Sequence, residues 1–367
     1  MAIQVGPGIN FGSGISIGFG APPPPPSPAV TFGTPAIMNS GAFTSLLQSN
    51  STDISSTTGL ITVVGSSGLN FGTAVSSNGT AWTGPSESVV GGAFMPLVTW
   101  SSFYNVFLAV GINSSNYPIY STSVDGVSWA TPAVIHATGI GNLWSLAVNS
   151  TGVFTVIMVT NPGGAAVYST STDVTTWTTP TAVQDITNGV YFLNSSIAVN
   201  SAGNFVLTGY NAFDSTAWYS FSVNGSSWIS QQFSSGFSPR ALTWSSYHNL
   251  FVTVGAVTGG LAYSTSTNGT TWTAPVGITG STTAMQILSL AVNSAGVFVA
   301  VGQIQVGATG QPLYMTSTNG TDWCVPTSFN GSTDVGYMRG VVYSTVTSKF
   351  VAVGVDSGTN WIYAVSS

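Results

Sequence analysis

Few residues of this chain have side chains that can do chemistry. Among 367 residues nine are acidic, three are basic (Arg240, Arg339 and Lys349), two are histidines and one is a cysteine. Arg240 in "RALTW" and Arg339 in "RGVVY" precede similar apolar segments, so they take equivalent places at the start of two strands. Two guanidiniums in equivalent places suit an acidic group on a ligand, because the planar fork of donors matches a carboxylate. Trp144, Tyr210, Asn211, Asp214 and Asp356 complete this candidate ligand set with stacking surfaces and hydrogen-bonding groups. The plainer alternative is that the arginines pair with neighbouring loop carboxylates and order the loops. Glycosidic hydrolysis needs two carboxylates, and Glu87, Asp185, Asp214, Asp334 and Asp356 are the candidates, but no spacing marks a pair among them. No catalytic residue is therefore assigned. His136, His248 and Cys324 lie far apart in sequence, which argues against a metal site, and no motif calls for a cofactor.

Composition narrows the choice further. Only 3% of residues are charged and the formal net charge is −6, so nucleic-acid binding is excluded: phosphate neutralisation needs a basic patch that three scattered residues do not make. With 43% hydrophobic residues the chain has ample material for a large core, and Ser, Thr, Asn and Gly must wet its surface in place of charges. No apolar run approaches the roughly 20 residues that cross a bilayer as a helix. Residues 1–20 lack a basic region and are interrupted by glycine, so no secretory signal is expected. One cysteine leaves no intramolecular disulfide.

What must position these residues is a repeat. The phrase "STNGTTW" ending at Trp272 returns as "SSNGTAW" at Trp82, "SVDGVSW" at Trp129, "STDVTTW" at Trp177, "SVNGSSW" at Trp228 and "STNGTDW" at Trp323, with separations of 47, 48, 51, 44 and 51 residues. Such a period belongs to propeller-like repeats. Seven hairpin-like segments such as "SLAVNSAGVFVAVG" precede or follow these boxes, one more hairpin than there are boxes. The ends of the chain account for the difference: "WIYAVSS" matches the strand before a box and "VTFGTPAIM" matches the strand after one, with Phe32 where Trp129 stands. The sequence thus predicts an all-β, seven-bladed propeller of four-stranded blades over residues 29–367, its last blade closed by strands from both chain ends, which removes exposed sheet edges at the junction.

Within each box, Asn-Gly or Asp-Gly favours a two-residue hairpin turn with both residues at positive φ. The tryptophan then covers the hairpin. Burying about 150–250 Å² of indole contributes roughly 4–6 kcal/mol gross at about 25 cal/mol per Å². Asp173-Val174 breaks the pattern, and a different turn is expected there because valine resists positive φ.

The box resembles the Asp-box, or BNR, repeat of sialidase-like propellers, here written Ser-x-Asn/Asp-Gly-x-Ser/Thr-Trp. The resemblance implies fold, with the boxes as structural turns away from the ligand-binding face. It also implies that a sialidase would need three arginines for the substrate carboxylate, whereas this chain has two. On this geometry Asp53, Asp125, Asp173, His248, Asp322 and Lys349 belong to the box face. Glu87, His136, Asp185, Asp214, Arg240, Asp334, Arg339 and Asp356 belong to the opposite face.

Residues 1–28, "MAIQVGPGINFGSGISIGFGAPPPPPSP", stand outside the repeat as a glycine-rich arm and a stiff proline spacer. The arm, the charge-poor β-domain and the missing signal together resemble virion structural proteins of the tail-fibre, tail-tip or capsid-decoration kind. That resemblance implies a non-catalytic structural or adhesive protein displayed on a virion. Its arm would dock on other virion proteins and its propeller would face a host glycan or receptor. A carbohydrate-active propeller enzyme, a glycoside hydrolase or lyase, is the alternative.

Overall fold

The computed structural model describes residues 26–38, 52–67, 70–87, 93–137, 139–160, 164–183, 192–211, 215–233, 236–306, 309–329, 336–357 and 360–367. A first strand, β1 (Ala36–Ile37), precedes six blades that follow one another along the chain. Blade 1 is β2 (Thr52–Ile54), β3 (Ile61–Ser67), β4 (Asn70–Ser76) and β5 (Thr83–Glu87). Blade 2 is β6 (Ala93–Ser101), β7 (Val106–Asn113), β8 (Pro118–Ser123) and β9 (Ala133–Val134). Blade 3 is β10 (Ile140–Val148), β11 (Phe154–Thr160), β12 (Ala166–Ser171) and β13 (Thr181–Ala182). Blade 4 is β14 (Phe192–Val199), β15 (Phe205–Asn211), β16 (Thr216–Ser222) and β17 (Ile229–Gln232). Blade 5 is β18 (Ser238–Ser245), β19 (Leu250–Val257), β20 (Gly260–Ser266) and β21 (Val276–Gly277). Blade 6 is β22 (Met285–Val292), β23 (Phe298–Val306), β24 (Thr309–Ser317) and β25 (Thr327–Ser328). Blade 7 joins β26 (Gly336–Ser344), β27 (Lys349–Asp356) and β28 (Trp361–Val365) to β1, so the ring is a seven-bladed propeller.

Closure occurs where the sequence places it. Ala36 pairs with Tyr363 and Ile37 with Ile362, antiparallel. An isolated bridge between Phe32 and Ser366 repeats, across the two chain ends, the bridge that Ser317 and Trp323 make within blade 6. Phe32 is buried and meets the rings of Tyr314 and Phe329 at 5.1 and 5.0 Å, so it fills the seventh tryptophan site.

The boxes are latches between blades. Each Asx side chain spans the turn: Asn268 Oδ1 accepts from the backbone of Thr270 and Thr271, both at 2.9 Å, and Ser266 Oγ accepts from Gly269 N at 2.7 Å. Only the second residue of the Asn-Gly pair has positive φ, so the expected two-residue turn is replaced by a longer one that the Asn side chain closes. The tryptophan reaches beyond its own hairpin. Trp228 of blade 4 packs between Phe205 of its own blade and Tyr168 of blade 3, and its Nε1 donates to Gly225 O at 3.0 Å. Tyrosines of the preceding blade add a second tie, as when Tyr219 donates to Thr270 O at 3.1 Å and Tyr363 to Thr80 O at 2.8 Å.

The box glycine is required twice over. At Gly269, φ is +77°, and a Cβ would come within 2.5 Å of Val206 in the preceding blade. Contrary to the sequence expectation, Val174 adopts the same left-handed turn, with φ of +70°. Its side chain packs beside Leu108 and Val110 of blade 2. Leu108 explains the tolerance. In the seven blades the residues at this second-strand position are Thr62, Leu108, Thr155, Val206, Val252, Val299 and Val351, and the leucine alone carries no branch at Cβ. The substitution has a further cost, since Trp177 Nε1 is buried without a partner while the other five tryptophans donate to a box glycine carbonyl.

Candidate functional site at the channel end opposite the boxes

The innermost strand of each blade lines the axis, and six of them carry a β-bulge or register shift near the end opposite the boxes or, in blades 2 and 4, a slip across three residues. Between β18 and β19 the register passes from Pro239 to Ala241, leaving Arg240 as the extra residue. The same slip isolates Arg339 in β26, Trp144 in β10 and Leu288 in β22. A bulge re-aims one side chain and strengthens the local twist, a device common beside binding sites. Arg240, Trp144 and Arg339 therefore occupy one equivalent position around the channel.

Glycine on the second strand accompanies three of these four bulges, while Met158 stands opposite the one at Trp144. Gly255, Gly302 and Gly354 end the second-strand phrases "FVTVG", "FVAVG" and "FVAVG", and a Cβ on any of them would collide with the carbonyl oxygen of the inner strand, of Ser238, Gln286 and Tyr337 respectively. The signal was thus present in the sequence as a terminal glycine on an otherwise β-branched strand.

Three side chains at the bulge positions of this end are donors: Arg240, Arg339 and Trp144. The Arg339 guanidinium lies 4.5 Å from the centre of the Tyr337 ring, and its Nε is buried without a hydrogen-bond partner. Trp144 Nε1 is likewise buried and unpaired. Burial holds the Arg240 guanidinium below the usual arginine range, the effect expected when a cation loses water without gaining a carboxylate. Among the described residues neither arginine forms an ion pair, so the loop carboxylates expected to neutralise them do not include any described one. Tyr337, which sequence reasoning missed, supports Arg339 from two residues earlier on the same strand.

Other members of the predicted set sit elsewhere. Tyr210 and Asn211 end β15, one strand farther from the axis, where Tyr210 packs against the apolar group of Ala217, Tyr219, Phe233 and Phe237. Asp356 ends β27 and caps its own loop, accepting from Asn360 N at 2.7 Å and from Asn360 Nδ2 at 2.8 Å. Asp214, Asp185 and Asp334 lie outside the described residues, as do residues 1–25 of the arm.

The opposite end of the channel differs. Asp53, expected in a hairpin turn, instead lies on innermost strand β2 and lines a cavity of about 440 Å³ that reaches the box face. The remaining box-face groups are where the repeat puts them. Asp125 accepts from Val127 N and Ser128 N, and although burial opposes its charge these bonds hold the carboxyl below the usual range. Asp173 is held lower still, by Thr176 through side chain and backbone and by Thr175 N. His248, at the tip of the β18–β19 hairpin, bonds through Nε2 to Gly296 O at 3.1 Å and Thr318 O at 3.0 Å; both partners are carbonyls, so Nε2 carries the proton.

No family model matches this sequence, and no curated protein matches it. Solved structures do match in shape. The BP39L lectin from Burkholderia pseudomallei superposes with a TM-score of 0.59 at 13% identity, over 86% of this chain and 96% of the lectin. YCF48 bound to a D1 peptide superposes with a TM-score of 0.57 at 15% identity, over 92% of this chain and 98% of its own. Trypanosoma rangeli sialidase in complex with the inhibitor DANA gives 0.51 at 12% identity, over 77% of this chain and 56% of the sialidase. At such identities the likeness is one of fold, and that fold is the propeller of lectins and sialidases.

Proposed function

We propose that this chain is a non-catalytic binding propeller whose channel end opposite the boxes holds an anionic, acceptor-rich ligand, a carboxylated or sulfated glycan. The observation that carries this reading is the set of donors at equivalent bulge positions: Arg339 and Trp144, each with a buried unpaired nitrogen, and Arg240, which forms no ion pair with a described residue. Donors left without acceptors are completed by a ligand that supplies acceptors, and the Arg339 guanidinium, held over the Tyr337 ring, is placed to meet an anion. The fold is one that a lectin and a sialidase use, which supports a sugar as the carrier of that anion. Binding of the purified protein to an array of neutral, carboxylated and sulfated glycans tests it. Signal restricted to the acidic glycans and lost in Arg240→Ala/Arg339→Ala supports the reading, and unchanged binding by that variant removes the site.

The second reading, a glycoside hydrolase or lyase, separates by turnover: release of sugar ends from a bound polysaccharide would replace the adhesin by an enzyme. Display on a virion rests on the composition of residues 1–28. If the arm docks the propeller on a particle, deletion of residues 1–28 abolishes incorporation and leaves glycan binding intact.

A further inference from the structure

The second end of the channel holds a buried acid that the proposed glycan site does not use. Asp53 sits on β2, where the equivalent residues of the other blades are Thr99, Ala147, Ala198, Thr243, Ala291 and Val342, none of them charged. Its Oδ1 accepts from Ile54 N at 2.8 Å, and its Oδ2 accepts from Thr99 Oγ1 at 3.1 Å and Trp100 N at 2.8 Å. A carboxylate offers about four lone-pair positions. Three donors fill three of them, and the open one is on Oδ1.

The cavity in front of this carboxylate has no cation of its own. Its lining includes Thr243, Trp244, Ser294, Tyr343 and Thr345 and, among the described residues, contains no lysine, arginine or histidine. Ser294 and Thr345 are exposed residues of hairpin turns, so the cavity opens on the box face. Two aromatic rings help to wall it. Trp244 is fixed against Phe251 at 4.5 Å and Tyr343 against Phe350 at 4.9 Å, which orients both before any ligand arrives. An uncompensated carboxylate, aromatic rings and several hydroxyls, in a volume of about 440 Å³, describe a receptor for a compact organic cation. From this arrangement we infer that the box-side half of the channel binds a primary alkylammonium group, with Asp53 as its counter-charge. Thr99 and the backbone of Ile54 and Trp100 hold that carboxylate in place. This site is independent of the arginine end and of the glycan reading.

The test uses the full chain and two probes of the same shape, n-butylammonium and n-butanol, followed by calorimetry and by the shift in melting temperature. Butylammonium should bind with one-to-one stoichiometry and at least about tenfold more tightly than butanol, a difference of about 1.4 kcal/mol. Asp53→Asn should abolish that preference, while Arg240→Ala/Arg339→Ala should keep it. Because Asp53→Asn also disturbs the tie to blade 2, the wild-type protein supplies a second measurement: affinity for butylammonium should fall as acid protonates Asp53, and affinity for butanol should not. Tyr343 is the other titratable group in the described lining. Nα-acetyl-lysinamide binding as well as butylammonium would assign the site to a lysine side chain of a partner, and weaker binding to a free amine. Equal affinity for amine and alcohol, a preference that survives Asp53→Asn, or no saturation up to about 10 mM would overturn the inference.

Discussion

The two ends of the central channel are built from the same repeat and present different polar groups. At the box end most box tryptophan Nε1 groups, several tyrosine hydroxyls, His248 and the Asx side chains each close a contact within a blade or across to the next, while Trp100 Nε1, Trp177 Nε1 and Thr347 Oγ1 stay unpaired. At the other end Arg339 Nε and Trp144 Nε1 are buried without a hydrogen-bond partner, and Arg240 forms no ion pair with a described residue. Saturated groups hold a structure together, and unsaturated buried groups store free energy that a ligand releases. The boxes tie the blades together at one end, and the proposed glycan site stands at the other.

That contrast breaks most visibly at Trp228. Trp228→Ala empties a buried site between two blades and should cost about 3–5 kcal/mol, read as a lowered midpoint in urea unfolding. Gly269→Val asks a second box to do what Val174 does, but opposite Val206 rather than a leucine. Strain and overpacking together should cost about 2–4 kcal/mol, and a loss under 1 kcal/mol would show that Leu108 is not the reason for the tolerance. His248→Phe keeps the stack on Phe298 and removes the bonds to Gly296 and Thr318, for an expected loss of about 1–3 kcal/mol in the same assay.

At the arginine end the stability effect should nearly vanish. Arg240→Ala/Arg339→Ala loses no ion pair to a described residue, so its unfolding free energy should stay within about 1 kcal/mol of wild type even as glycan binding disappears. The smallest effect is a pH dependence of opposite sign in two kinds of aspartate. Burial raises Asp53 above the ordinary carboxylate range, despite the bonds from Trp100, Ile54 and Thr99. Its protonated form is thus favoured in the folded state: that contribution to stability is full below the unfolded value and is lost as pH rises through the raised one. Asp125 and Asp173 are lowered, so theirs is present above the unfolded value and lost as pH falls through the depressed one. Comparing unfolding of Asp53→Asn with wild type from pH 7 to pH 4 should show wild type gaining on the variant as pH falls.

Much of this was legible in the sequence because it is local. A box spans seven residues, its Asx and Ser side chains act on neighbours two or three positions away, and its recurrence gave the blade number and the split blade through Phe32. Arg240 and Arg339 could be placed as equivalents because identical spacing in two repeats implies identical positions. The turn geometry was misjudged, because the Asn side chain closes a longer loop than the dipeptide alone suggests. Val174 was misjudged because the residue that admits it, Leu108, lies in the preceding blade.

The sequence by itself determined the all-β class, the seven blades, the closure by both chain ends and the equivalence of the two arginines, since repetition and short-range turn chemistry require no knowledge of distant neighbours. Tertiary structure alone decided that the arginines stand on bulges, that Arg339 rests on Tyr337 and that Asp53 faces a cavity instead of a turn. Those facts depend on a one-residue slip between paired strands and on the meeting of blades around an axis, and neither is encoded in any single stretch of chain.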